Sequence, residues 1–132
     1  MTLFHTRLKV LIADDEKLIA DTLGLILNQS GFEARTVYSC RDALQVARVF
    51  HPDLLVSDIL MADANGLEMA IEMRELFPDL CVFLLSGQTA TAEMVAKSKA
   101  AEMGFEVLVK PVHPHELIRR LGAARMRGSR VA

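Results

Sequence analysis

The feature that most constrains this chain is an alternation. Short, strongly apolar runs take turns with longer stretches whose apolar residues recur at helical spacing. Residues 8–13 (LKVLIA) are aliphatic and short, and read as a buried strand. Residues 17–29 follow, with Leu18, Ile19, Leu23, Ile26 and Leu27 at the period of a helix, and Gly31 stands where a left-handed terminator belongs. Residues 33–37 are a more polar strand, expected at a sheet edge. Ser39 is placed to cap a helix that reaches about Phe50 and that His51-Pro52 ends. The third strand is 54–57, closed by Asp58, and a helix from Gly66 stops near Pro78. The fourth strand, 80–85 (LCVFLL), is the most hydrophobic. A polar, alanine-rich helix over 89–103 ends at Gly104, a fifth strand covers 105–109, and Pro114 opens a last helix with Leu117, Ile118 and Leu121 on one face.

Five βα units predict an α/β fold: (βα)₅, a parallel sheet with right-handed crossovers and helices on both faces. A closed barrel of the usual kind needs more units, so the sheet is expected to be open and doubly wound. The 132 residues fit one domain, which is large enough to bury a core without disulfides or structural metal. Cys40 and Cys81 form no CxxC pair and lie in apolar stretches, so both read as buried free thiols of a reducing compartment. No signal peptide and no membrane span is visible, which points to the cytoplasm. The net charge of -2 argues against a protein that coats nucleic acid. That mild value hides an asymmetry, because from Leu117 onward there are five arginines and no acid. The expected organisation is a domain over 1–122 and a short arginine-rich tail over 123–132, read as a solvated terminus.

In open α/β sheets, ligands bind beyond the carboxyl ends of the strands. Strand one is followed by Asp14, Asp15 and Glu16, strand three by Asp58, strand four by Ser86, and strand five by Lys110-Pro111. Any single strand-end aspartate is ordinarily a solvated carboxylate, but this convergence of groups is not ordinary. Three carboxylates at close range repel, and a hard divalent cation such as Mg²⁺ (or Mn²⁺) resolves the conflict. Such a site suits a phosphoryl group, held either as an incoming phosphate or on one aspartate as an acyl phosphate. Asp58 stands alone and is the better nucleophile candidate, whereas the Asp14-Asp15 pair suits metal.

The ordered set Asp14-Asp15, Asp58, Ser86 and Lys110-Pro111 resembles the signature of response regulator receiver domains. Met61, Gly66, Ala100 with Gly104, and the run from Lys110 to Glu116-Leu117 add to the resemblance, which covers about residues 9–121. It implies a flavodoxin-like strand order of 2-1-3-4-5. It also implies that Asp58 accepts phosphate from a phosphohistidine of a sensor histidine kinase or phosphotransfer protein. Asp15, Asp58 and the Leu60 backbone carbonyl would hold Mg²⁺, with Asp14 acting through a water. Ser86 and Lys110 would bind the phosphoryl oxygens, and the peptide before Pro111 would be cis. The phosphoryl group would bias a two-state loop and helix arrangement and so switch protein–protein contacts. The implied partners are the kinase and a downstream protein, with no direct DNA binding and no membrane. The implied state is a monomer or a phosphorylation-dependent dimer.

The chain also departs from the pattern. Ala62 stands where proline is common, so the loop after Asp58 is expected to be less rigid, and Val112 replaces an aromatic. Val107 occupies the usual place of a switch tyrosine or phenylalanine, and Phe105 lies two residues earlier on the same face. Leu60 and Gln88 occupy the positions that tune attack by water, and Leu60 cannot orient a water, which predicts a long-lived phosphoryl group. His113 and His115 read as surface residues. Beyond a phosphoacceptor receiver, alternatives are a pseudo-receiver scaffold with little phosphoryl turnover and a receiver fragment of a larger regulator. A haloacid-dehalogenase-like phosphatase wants a second aspartate two residues after Asp58, and a flavodoxin wants a hydroxyl-rich loop after strand one. Neither is present. Catalysis beyond self-phosphorylation and loss of phosphate at Asp58 is not expected. With 132 residues, a single receiver leaves no room for an effector in this sequence.

Overall fold

The three central strands of this protein are buried on two sides, and the alternation of their side chains decides which helices cover them. The computed structural model describes residues 7–87 and 91–129. Five strands, β1 (Lys9–Ala13), β2 (Glu33–Val37), β3 (Leu54–Asp58), β4 (Cys81–Ser86) and β5 (Glu106–Val109), form one parallel sheet in the order β2-β1-β3-β4-β5. Between and after them run α1 (Lys17–Gln29), α2 (Cys40–Phe50), α3 (Gly66–Leu76), α4 (Thr91–Glu102) and α5 (Pro114–Ser129). This is the open, doubly wound order 2-1-3-4-5, with the polar β2 at an edge.

Val10, Ile12, Leu54, Val56, Phe83 and Leu85 pack with Leu23 and Leu27 of α1 and with Leu117 and Leu121 of α5. The intervening residues Leu11, Leu55, Val82 and Leu84 pack on the other face with Ala43 and Ala47 of α2, Met73 of α3 and Ala100 of α4. The period of two along a strand therefore feeds two separate cores. Local signals punctuate the helices. The Ser39 hydroxyl accepts from the Asp42 amide at 3.0 Å and opens α2, and Asn65 accepts from Leu67 at 2.7 Å and opens α3. Gly31, at φ 99°, lets the chain leave α1 in a left-handed conformation that a side chain resists.

Boundaries differ by a residue or so from the expectation. Leu80 is buried but precedes β4, and Phe105 is buried but precedes β5, its amide closing the end of α4 on Ala100 O at 2.9 Å. Burial alone reads both as strand. Cys40 is a buried free thiol as expected, whereas Cys81, the first residue of β4, is only partly buried. Helix α5 continues to Ser129, so residues 123–129 are helical. No described helix is long and apolar enough to cross a membrane.

Candidate functional site

The parallel sheet brings the carboxyl ends of β1, β3, β4 and β5 to one rim. Asp14 follows the buried β1 and is itself 0% exposed. Its Oδ1 accepts the Glu16 amide at 2.9 Å, while its Oδ2 is buried without a hydrogen-bond partner. Asp58 closes β3 and is 3% exposed. One oxygen each from Asp14, Asp15 and Asp58 lies within 4.8 Å of the others. From the end of β5, Lys110 places Nζ 2.6 Å from Asp58 Oδ1. Lys110 and Ser86 are joined through the backbone as well, Lys110 N donating to Ser86 O at 2.8 Å.

Burial is the main force on Asp58, disfavouring its charge; Lys110 opposes this, and the neighbouring Asp14 carboxyl adds to it. The net effect pushes the Asp58 carboxyl up to about 7. Burial acts against the charge of Lys110 also, but Asp58, with Asp14 and Glu16 behind it, raises the ammonium above its ordinary range. The rim thus gathers more negative charge than it neutralises. An orphaned buried oxygen of Asp14 within a cluster of hard carboxylate oxygens fits a divalent cation of the Mg²⁺ class. Beside it, Asp58, Leu60, Leu85, Gly87 and Lys110 line an open cavity of about 140 Å³.

Not every candidate residue points into this cluster. The Ser86 hydroxyl, 0% exposed, donates to the Gly87 carbonyl at 2.6 Å. The Leu60 side chain is 50% exposed. The Lys110–Pro111 peptide is cis. Gln88 lies outside the described residues. Val107 is partly buried against the α2–α3 core that also contains Phe105, and the Arg74 guanidinium of α3 lies over the Phe105 ring at 5.0 Å. His113 and His115 are exposed and stack on each other at 5.1 Å.

Four further residues shape the site. A Cβ on Gly66 would sit 1.8 Å from the Asp58 carbonyl oxygen, so only glycine lets α3 start directly beneath the end of β3. The Ser57 hydroxyl donates to that same carbonyl at 2.9 Å. Asp63 accepts the Cys40 and Arg41 amides at 3.0 and 3.1 Å, tying the loop after Asp58 to the start of α2. The loop expected to be looser without a proline is therefore fastened. Ala62 itself supplies a tie, its amide donating to Asp15 Oδ2 at 2.7 Å. Asp63 carried no sequence signal, because its partners lie 22 and 23 residues away.

Comparison with known proteins agrees with this fold. The sequence profile of the response regulator receiver domain matches residues 10–122. The chain is 33% identical over 110 residues to the DNA-binding transcriptional regulator NtrC of Azospirillum brasilense, covering 83% of this chain and 22% of that protein. It is 31% identical over 114 residues to the probable transcriptional regulatory protein TcrX of Mycobacterium tuberculosis, covering 86% of this chain and 48% of that one. The chain thus spans about a fifth and about half the length of these curated relatives. The crystal structure of a CheY-like response regulator receiver domain protein from Methanospirillum hungatei superimposes with a TM-score of 0.87 at 21% identity, covering 96% of this chain and 100% of that chain, a likeness of fold.

Proposed function

The chain belongs to the response regulator receiver domain family of two-component systems, and on that premise we propose that Asp58 is its phosphoacceptor. The observation that carries this reading is the rim itself. Four chain segments deliver Asp14, Asp15, Asp58, Ser86 and Lys110 together, and Asp58 is buried against a single ammonium.

A carboxylate oxygen of Asp58 attacks the phosphorus of a phosphohistidine. The new P–O bond forms as the P–N bond breaks, and the imidazole leaves with the bonding pair and takes a proton from solvent. Lys110 is already paired with Asp58 and is placed to follow the phosphoryl oxygens that take over the negative charge. Ser86 has a donor to offer once its hydroxyl turns from Gly87. Asp15, Asp58 and the Leu60 carbonyl would hold Mg²⁺, or Mn²⁺, with Asp14 acting through a water. The cation would supply positive charge against the carboxylates and the transferring group.

The donor is a sensor histidine kinase or phosphotransfer protein, and the output is an altered contact with a downstream protein in the cytoplasm, without DNA contact by the receiver over 1–122. The chain acts as a monomer or as a dimer formed on phosphorylation. With Leu60 unable to orient a water, and Gln88 at the second tuning position, the acyl phosphate is expected to be relatively long-lived. Loss of label within seconds sinks that expectation.

The test is incubation with a small acyl phosphate and Mg²⁺, read by intact mass. Wild type gains one phosphoryl group and Asp58→Asn gains none. Equal labelling of the variant overturns the nucleophile assignment. An unlabelled wild type favours an interaction scaffold that does not turn phosphate over.

A further inference from the structure

The loop between β3 and α3 is held more firmly than its composition suggests, and its fastenings converge on one metal-ligand candidate. The Ala62 amide donates to Asp15 Oδ2 at 2.7 Å. A proline, frequent at this place in the family, has no amide hydrogen to give. One residue further, both oxygens of Asp63 are used: Oδ1 takes the Cys40 amide at 3.0 Å and Oδ2 the Arg41 amide at 3.1 Å. These belong to the first turn of α2, whose amides have no partner inside the helix. The Cys40 amide above all, with the Arg41 amide, holds the Asp63 carboxyl below its ordinary range against the opposing effect of burial. Around the two ties, the Met61 amide closes a turn on Ala64 O at 3.2 Å, and the Gly66 amide returns to Ile59 O at 2.6 Å.

We infer that Asp63 and the Ala62 amide act together as a positioning device for Asp15. Asp63 anchors the loop on α2, and the anchored loop presents the Ala62 amide to one oxygen of Asp15, which leaves the other for a cation. This rests on the reading of Asp15 as a metal ligand. Carboxylate ligands are oriented by such outer hydrogen bonds, and losing one typically weakens metal binding by roughly 10- to 100-fold. The same loop carries the Leu60 carbonyl, so its anchoring sets two candidate ligands at once.

A comparable tie at the other end of the sheet serves as control, where Asp53 Oδ2 accepts the Lys9 amide at 2.9 Å, far from the rim. The experiment titrates the full chain with Mn²⁺, read by electron paramagnetic resonance, and with Mg²⁺, read by calorimetry. Thermal melts of each variant report its folding. Asp63→Ala and Ala62→Pro are expected to weaken binding by about 10-fold. Asp63→Asn keeps one acceptor oxygen and falls between them and wild type, and Asp53→Ala binds as wild type does. If Asp63→Ala does not fold, Asp63→Asn and Ala62→Pro carry the test. Unchanged or tighter binding by Ala62→Pro overturns the inference, and so does equal weakening by Asp53→Ala. A wild type that is labelled on Asp58, with Asp63 and Ala62 variants binding normally, defeats this inference alone. A wild type that takes neither metal nor phosphoryl group defeats the functional reading along with it.

Discussion

The two ends of the sheet are built from similar residues and reach opposite outcomes. At the amino end, Asp53 is exposed and satisfied: its carboxylate takes the Lys9 amide, its own amide donates to Lys9 O at 2.9 Å, and its carbonyl accepts from Cys81 N at 3.1 Å. A cavity of about 260 Å³ lies there, lined by residues that include His51, Asp53 and Asp79. At the carboxyl end the cavity beside Asp58 is only about 140 Å³, but Asp14 and Asp58 are buried and an oxygen of Asp14 has no partner. The volume of the cavity at each aspartate does not set Asp58 apart from Asp53. Uncompensated buried charge does, because such charge is costly unless something later neutralises it.

The sharpest way to break this comparison is Gly66→Ala. A methyl group 1.8 Å from the Asp58 carbonyl oxygen forces the backbone of α3 or β3 to move. A loss of about 3 kcal/mol or more in urea unfolding is expected, since overpacking against backbone has no flexible neighbour to yield. A loss under about 1 kcal/mol would show that the junction of β3 and α3 is plastic.

A second test uses pH and metal. In the folded chain burial pushes the Asp58 carboxyl up to about 7, from an ordinary 3.8 once unfolded. Between these values the native state holds a proton that the unfolded state has released. The stability from this group is therefore full below about pH 4 and is lost as pH rises through 7. The melting temperature of wild type minus that of Asp58→Asn, in chelator, is expected to fall by several degrees from pH 5 to pH 8. The subtraction removes Asp63 and Glu116, whose lowered values act in the opposite direction. Mg²⁺ at about 100 times its Kd adds about 2.7 kcal/mol to wild type and far less to Asp58→Asn. A difference that stays flat with pH would mean that Asp58 is not the strained carboxylate.

The smallest effect belongs to the amino end. Asp53→Ala removes one exposed hydrogen bond and is expected to cost about 1 kcal/mol, measured by the same unfolding, with acyl phosphate labelling unchanged. Impaired labelling would erase the distinction between the two ends.

The strands and helices were legible because each buried strand is an unbroken apolar run and each helix keeps its inner face at helical spacing. Leu80 and Phe105 blurred the edges, since a buried residue just outside a strand looks like one inside it. The rim was legible from the acids, hydroxyl and lysine that stand directly after the strands. Its internal geometry was not. The Ala62–Asp15 bond spans 47 residues and uses a backbone amide, which every residue type except proline possesses. The Ser86 hydroxyl facing Gly87 is a torsional choice that composition does not encode. Gly66 was visible as a motif residue, but its reason, the carbonyl of Asp58 against its Cα, appears only in three dimensions.

The pairing of β1 with β3 also sets a scale. Asp14 and Asp58 sit at the ends of neighbouring strands, whose backbones run about 4.8 Å apart in any sheet. The rim is therefore a ruler with one fixed graduation, and its chemistry has to be written in side chains short enough to meet across it. Aspartate spans that graduation, since one oxygen each of Asp14 and Asp58 lies within 4.8 Å of the other. The spacing of the rim is thus inherited from the hydrogen-bond ladder of the sheet.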